Sequence, residues 1–321
     1  MDSVALSTFA SPVILFFVLG LLAAFARSDL SIPEAIAKGM SLYLMAAIGL
    51  KGGVAVAKSG LNAEIGTALL LGLAASFALP FAVYAVLRAF ARLDQVNAGA
   101  VAAHYGSVSV VTFVTANEML GGGGGLPVAG YMVAVLAVME TPAILSGLLL
   151  ARRGRSDSGQ GTGEMLREVF LNASVVLLLG SFAIGFIAGP QRYKDVQPLF
   201  ESGFKGVLCL FLLDMGLIAA RRLMATRALN WRLVVLAILF PLVNGMLGLM
   251  AGHLVGLDGG TLAAFAVLCA SASYIAVPAA MRLALPQADP GIYLSMSLSV
   301  TFPFNILINI GLIAAATRML G

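Results

Sequence analysis

The feature that most constrains this chain is a succession of apolar runs, separated by short clusters of charge, glycine and proline. A helix needs about 20 mostly apolar residues to cross the hydrocarbon layer of a bilayer. Ten segments meet that length: residues 7 to 26, 33 to 57, 62 to 90, 96 to 117, 127 to 151, 168 to 189, 198 to 220, 229 to 256, 260 to 285 and 290 to 317. Lipid offers no hydrogen bonds, so backbone groups must pair within each segment. The expected fold is therefore an all-α polytopic membrane protein with ten transmembrane helices. With 60% hydrophobic and 11% charged residues, and a mean hydropathy of +1.00, a soluble domain is excluded. The first residues, MDSVALSTFA, lack the basic flank of a cleavable signal peptide, so the first run reads as a permanent helix. Cys209 and Cys269 fall inside apolar runs and read as buried thiols.

Orientation follows from the basic residues. Alternate loops hold Arg27; Arg88 and Arg92; Arg152, Arg153, Arg155 and Arg167; Arg221, Arg222, Arg227 and Arg232; and Arg282. The opposite loops hold only Lys58, Arg192, Lys194 and Arg318. The positive-inside bias places the first set in the cytoplasm and both termini outside. The basic balance thus belongs to membrane topology, and no nucleic-acid partner is expected. The hydrophilic linker RRGRSDSGQGTGEM, 152 to 165, is expected in the cytoplasm, as a flexible joint between two halves.

Those halves are distant copies. AKGMSLYLMAAIGL (37 to 50) aligns with FKGVLCLFLLDMGL (204 to 217), matching Lys38 with Lys205, Gly39 with Gly206 and Gly49 with Gly216 at a spacing of 167. LNAEIG at Leu61 answers LNWRLV at Leu229, a spacing of 168, and Pro142 answers Pro303 at 161. With five spans per copy, the second must enter from the opposite face. The expected organisation is a first five-helix repeat over 1–151, a linker over 152–167 and an inverted second repeat over 168–321. Secondary transporters are commonly built this way, with the substrate held near the midplane where matching interrupted helices meet.

The interruptions themselves stand out. AHYGSVSVVTFVTA (103 to 116) pairs at a spacing of 166 with CASASYIAVPAAMR (269 to 282), setting Ser107 opposite Ser273 and Gly106 opposite Ala272. In the second stretch Pro278 removes a backbone donor, which is expected to free the carbonyl of Tyr274. Small residues and hydroxyls also serve plain helix packing. Their matched places in the repeat favour a site. A half-helix that starts at a break offers free N–H groups and a positive dipole end, which suits a small anion.

Other polar residues lie inside the spans. Glu140 (in VMETPA, before Pro142) and Asp214 (in LLDMGL) are acids in hydrocarbon. Such acids are normally paired or used to bind a cation. They are candidates for cation coupling, with Thr112 and the Tyr274 carbonyl as neutral oxygens; a salt bridge to Lys38, Lys51 or Lys205 is the structural alternative. His104 could relay protons, though a lone histidine beside a break more often packs and hydrogen-bonds. The GGGGG run, 121 to 125, has no strand before it and no Lys-Ser or Lys-Thr after it, and so reads as an external turn rather than a phosphate loop.

The stretches IPEAIAKG (32 to 39), IGLKGG (48 to 53), GSVSVVT (106 to 112), METPA (139 to 143), SASYIAVP (271 to 278) and RLALPQADPGIY (282 to 293) together resemble the sodium-dependent bicarbonate transporters of the SbtA type. The resemblance spans both halves in order. It implies a ten-helix inverted-repeat fold, a homotrimer, and sodium-coupled uptake of bicarbonate between the two broken helices. Position by position, the substrate contacts it implies are Gly106, Ser107, Val108 and Ser109 in one break, and Ser271, Ala272, Ser273 and Ile275 in the other. Sodium is the only metal ion implied, as coupling ion, and no organic cofactor. Relatives use a PII-like regulatory partner, an expectation weakened here by the short linker.

Two other classes remain open. A sodium-coupled organic-anion carrier or a cation/proton antiporter could use the same repeats, and a sensor or scaffold could bind the anion without moving it. No Ser/His/acid arrangement and no metal-spaced His or Cys cluster points to an enzyme.

Overall fold

The computed structural model describes residues 11–60, 63–121, 125–152, 173–226 and 228–320. Among them every regular element is helical and there is no strand. Seven helices among the described residues are long and apolar enough to cross a membrane. Residues 1–10, the middle of the GGGGG run and residues 153–172, which include most of the expected linker, lie outside the described residues.

The first half contains α1 (Pro12–Phe25), α2 (Glu34–Ser59), α3 (Ala63–Val86), α4 (Gln95–Gly106), α5 (Val110–Gly121), α6 (Met132–Met139) and α7 (Pro142–Arg152). The second contains α8 (Ala173–Tyr193), α9 (Phe204–Ala225), α10 (Trp231–Leu254), α11 (Gly259–Ala270), α12 (Ala276–Ala284) and α13 (Pro290–Leu320). Polar caps fix several starts. The Asp94 carboxylate accepts from the Asn97 N–H at 3.0 Å ahead of α4, Asn230 Oδ1 from the Leu233 N–H at 3.1 Å ahead of α10, and Asp289 from the Gly291 N–H at 2.7 Å ahead of α13.

Three of the expected spans are interrupted. The run expected over 96 to 117 is two helices, α4 and α5, separated by Ser107–Ser109, and the run over 260 to 285 is α11 and α12, separated by Ser271–Ile275. The run over 127 to 151 turns at Glu140 and Thr141 ahead of Pro142, the kink that the proline leads one to expect. Across Pro303, α13 stays helical but widens into π turns at Ser295–Thr301 and Asn305–Asn309.

Packing is close where glycines meet. Helix α1 lies against α9, where the Gly20 Cα faces the backbone of Leu213 and Gly216 faces that of Phe17. Helix α2 lies against α8 along most of its length; a Cβ at Gly49 would stand 2.6 Å from the Ser181 Cβ. Small residues let helices approach in this way when burial of apolar side chains gives no advantage over lipid. Helix α3 packs on α4 as α10 packs on α11, and α7 packs on α4 as the end of α13 packs on α11. Consequently α4 and α11 are buried on all sides. Leu70, Phe77 and Phe81 on α3, with Val243, Met246 and Met250 on α10, are exposed instead. A molecule that is apolar outside and carries serine, histidine and acid within is built for lipid surroundings.

Candidate functional site

The two breaks lie across one another. The backbone N–H of Ser109 donates to the Ser271 hydroxyl at 2.9 Å, and the N–H of Ser273 donates to the carbonyl of His104 at 2.8 Å. Each break thus receives a backbone donor or gives one to the other, and the half-helices cross, α5 against α11 and α12 against α4. Gly106 ends α4 where the chain passes so close to Pro80 and Ala143 that a Cβ would stand 2.9 Å from the Ala143 Cβ and collide with the proline ring. Any side chain there would push the first break off α3 and α7.

A serine hydroxyl accepts a first-turn N–H of each second half-helix. Ser109 Oγ accepts from the Thr112 N–H at 3.2 Å, and Ser273 Oγ from the Val277 N–H at 3.4 Å. Each bond uses an oxygen lone pair and leaves the hydroxyl hydrogen to seek another acceptor. The other serines are committed differently: Ser107 donates to the carbonyl of Glu140 at 3.0 Å, and Ser271 to that of Leu268 at 2.8 Å.

The carbonyl ends of the first half-helices are covered by amides that sequence reasoning overlooked. Asn244 Nδ2 on α10 donates to the carbonyl of Tyr105 at 3.3 Å, and Asn305 Nδ2 on α13 donates to that of Ala270 at 3.0 Å. Asn309 Nδ2 in turn donates to Asn305 Oδ1 at 2.8 Å and fixes that amide's orientation. A buried asparagine inside an apolar span is costly without partners, which is the signal that could have found all three. One carbonyl at the negative end of each of α4 and α11 is therefore covered, and the positive ends of α5 and α12 face the space between them.

That space is a cavity of about 20 Å³, lined among others by Val108, Ser109, Ser273, Tyr274, Ile275 and Glu140. It holds about one water-sized particle. Of the expected site residues, Gly106, Ser107, Ser271 and Ala272 form the adjoining backbone and Thr112 the first turn of α5. Glu140 reaches the cavity because the turn before Pro142 brings it there; its neighbouring carbonyl at Met139 accepts from Ser76 Oγ at 2.5 Å. Glu140 is 4% exposed, and its Oε2 has no hydrogen-bond partner among the described residues. Asp214 is equally buried with an unpartnered Oδ2, but it sits on α9, which packs against α1 and the Ser295–Thr301 turn, and does not line the cavity.

The Pro278 expectation is corrected by this geometry. Tyr274 already lies in the unwound stretch, and Pro278 occupies the first turn of α12, where its missing N–H would have no helical partner anyway. The lysine alternative for the acids is not realised either. Among the described residues Lys205 pairs with Glu118 at 2.9 Å, and Lys51 lies over the Phe204 ring at 5.1 Å. His104 is a packed residue: Nδ1 bonds to the carbonyl of Ala100 at 2.7 Å and the ring stacks on Tyr293 at 4.6 Å.

Crossed breaks within an apolar helical assembly are the architecture of a membrane transporter. Residues 12–318 match the Na+-dependent bicarbonate transporter superfamily, and the chain belongs to it. No curated protein matches the chain.

Proposed function

We propose that this protein is a secondary active transporter that couples sodium to the uptake of a small inorganic anion, bicarbonate being the cargo its family favours. The observation that carries the reading is the crossing itself: the starts of α5 and α12, each with a serine hydroxyl on a first-turn N–H, face the cavity, and amides of Asn244 and Asn305 each cover a carbonyl at the ends of α4 and α11. An anion between them gains N–H groups, two dipole ends and the hydroxyls of Ser109 and Ser273. Gly106, Ser107, Val108, Ser271, Ala272 and Ile275 supply the surrounding backbone. A bicarbonate ion has four heavy atoms, so the walls must part to admit it.

Glu140, beside the cavity with a spare carboxylate oxygen, is the preferred cation ligand, with Thr112 and Tyr274 as neutral oxygens. Asp214 is a separate, second candidate. Ten spans in two inverted repeats, 1–151 and 168–321, are supported by the reciprocity of the helix contacts: α1 with α9 mirrors α8 with α2, and α3 with α4 mirrors α10 with α11. The termini are placed outside and the linker in the cytoplasm of an inner-membrane protein. Modification at a Ser158→Cys site by an impermeant reagent from outside intact cells would overturn that placement. A homotrimer is proposed from the resemblance to the SbtA-type transporters.

Uptake of labelled bicarbonate into proteoliposomes, with and without an inward sodium gradient, tests the function. Sodium-stimulated accumulation is expected. Proton release on adding sodium, with no anion uptake, would favour the antiporter instead.

A further inference from the structure

A second and larger cavity, of about 500 Å³, opens at the end of the molecule that carries Lys58 and Lys194. It lies in line with the small cavity between the breaks, and the same three helices line both. On α2, Ser41 and Met45 face the inner cavity, and Ile48, Lys51 and Lys58 the outer one, all on one helical face. On α9, Phe211 belongs to the inner cavity and Phe204, two turns away, to the outer. On α5, Val114 borders both, and Asn117 follows one turn outward. Val114 and Ile48 are 2% and 6% exposed, so the seam is shut at their level.

The charges of the outer cavity are unbalanced. Of its carboxylates Glu118 is offset by Lys205 at 2.9 Å, whereas Glu201, bonded by the uncharged Gln197 amide at 2.7 Å, keeps its charge against the lysines Lys51, Lys58 and Lys194. Among the described residues Lys51, Lys58 and Lys194 form no ion pair. Lys58 and Lys194 stand at the rim, whereas Lys51 lies one helical turn, about 4.5 Å of rise, outside Ile48, with its ammonium over Phe204 at 5.1 Å. A concave, low-dielectric space with excess positive charge concentrates anions and speeds their arrival.

We propose that this outer cavity is the access vestibule for the anion, in which Lys51 captures it, and that Ile48 and Val114 form the apolar plug that parts to let it reach the breaks. The proposal rests on the transport reading and names the residues that select the cargo by charge before it is bound. Lys51 touches the arriving anion and holds it one turn from the plug; the serines receive it afterwards.

The test uses the full chain with Cys209 and Cys269 replaced by alanine and Asn117→Cys introduced, labelled from outside intact cells with small methanethiosulfonates of either charge. The anionic reagent is expected to react about tenfold faster than the cationic one. That preference should fall toward unity in Lys51→Met, return in Lys51→Arg, and collapse in the Lys51 parent as salt is raised. Ser41→Cys, beyond the plug, should react slowly and gain speed with Val114→Ala. In uptake assays Lys51→Met should raise the KM for bicarbonate about tenfold with the sodium KM unchanged. Equal labelling by both reagents in the parent, or a preference indifferent to Lys51, overturns the vestibule. Labelling needs no transport, so a preference that tracks Lys51 in a protein that moves no bicarbonate upholds the vestibule and overturns the bicarbonate reading instead.

Discussion

The Ser271 hydroxyl accepts the backbone N–H of Ser109 at 2.9 Å, joining positions 162 residues apart in the chain. The same hydroxyl donates to the carbonyl of Leu268 at 2.8 Å. Ser271 is thus a fastener between the two breaks, with its hydrogen already used, whereas the N–H bonds that Ser109 and Ser273 accept use only their oxygens, and the Ser109 hydroxyl also neighbours that of Tyr274.

Ser109→Ala and Ser273→Ala are expected to weaken anion binding by about 1–3 kcal/mol each, roughly 5-fold to 150-fold in affinity. Equilibrium binding of bicarbonate to the purified protein measures this. Ser107→Ala removes a bond to the Glu140 carbonyl and should lower stability more than affinity. Unchanged affinity in Ser109→Ala and Ser273→Ala would leave the serines to packing.

Glu140→Gln keeps shape and removes charge beside the cavity. The sodium concentration for half-maximal uptake should rise about tenfold, the worth of one charge-assisted contact. If Glu140→Gln is silent and Asp214→Asn produces the rise, the coupling ion sits on α9.

Asn305→Leu leaves the buried Ala270 carbonyl unpaired and exposes the negative end of α11 to the cavity. A stability loss of about 1–3 kcal/mol is expected, read as a lower unfolding temperature in detergent, together with weaker anion binding. Stability and affinity both at the parent level would show that water or another donor replaces the amide.

Gly49→Leu should separate α2 from α8, since even a Cβ would stand 2.6 Å from the Ser181 Cβ. Overpacking of this kind costs about 1–3 kcal/mol or more. Size-exclusion chromatography and thermal unfolding of the purified variant report it; a parent-like profile would mean the interface yields.

Asp94, in the loop ahead of α4, is held below the ordinary carboxylate range: burial works against ionisation, and hydrogen bonds from the Asn97 backbone and side chain outweigh it. A depressed folded value means that the cap stabilises above the unfolded value, about pH 3.9, and fades as pH falls through the folded one. Asp94→Ala should therefore destabilise at neutral pH, with the difference from the parent shrinking in strong acid. Thermal unfolding at both pH values checks it.

Much of this was legible in the chain itself. Lipid obliges each segment to satisfy its own backbone, so apolar length fixed the helices, and Gly106, the serines and Pro142 marked where they give way. The resemblance carried by GSVSVVT and SASYIAVP pointed to the family that residues 12–318 match. What no local pattern records is the partner of each polar group. That Asn244 and Asn305 cover the helix ends, that Lys205 meets Glu118 rather than a deeper acid, and that Glu140 lines the cavity while Asp214 does not were decided by tertiary packing. The physical reason is that a buried polar atom must be satisfied by whatever the fold brings within about 3 Å of it. Several of those neighbours lie more than 30 residues away in sequence, as with Ser107 and Glu140, 33 residues apart, or Asn244 and Tyr105, 139 apart.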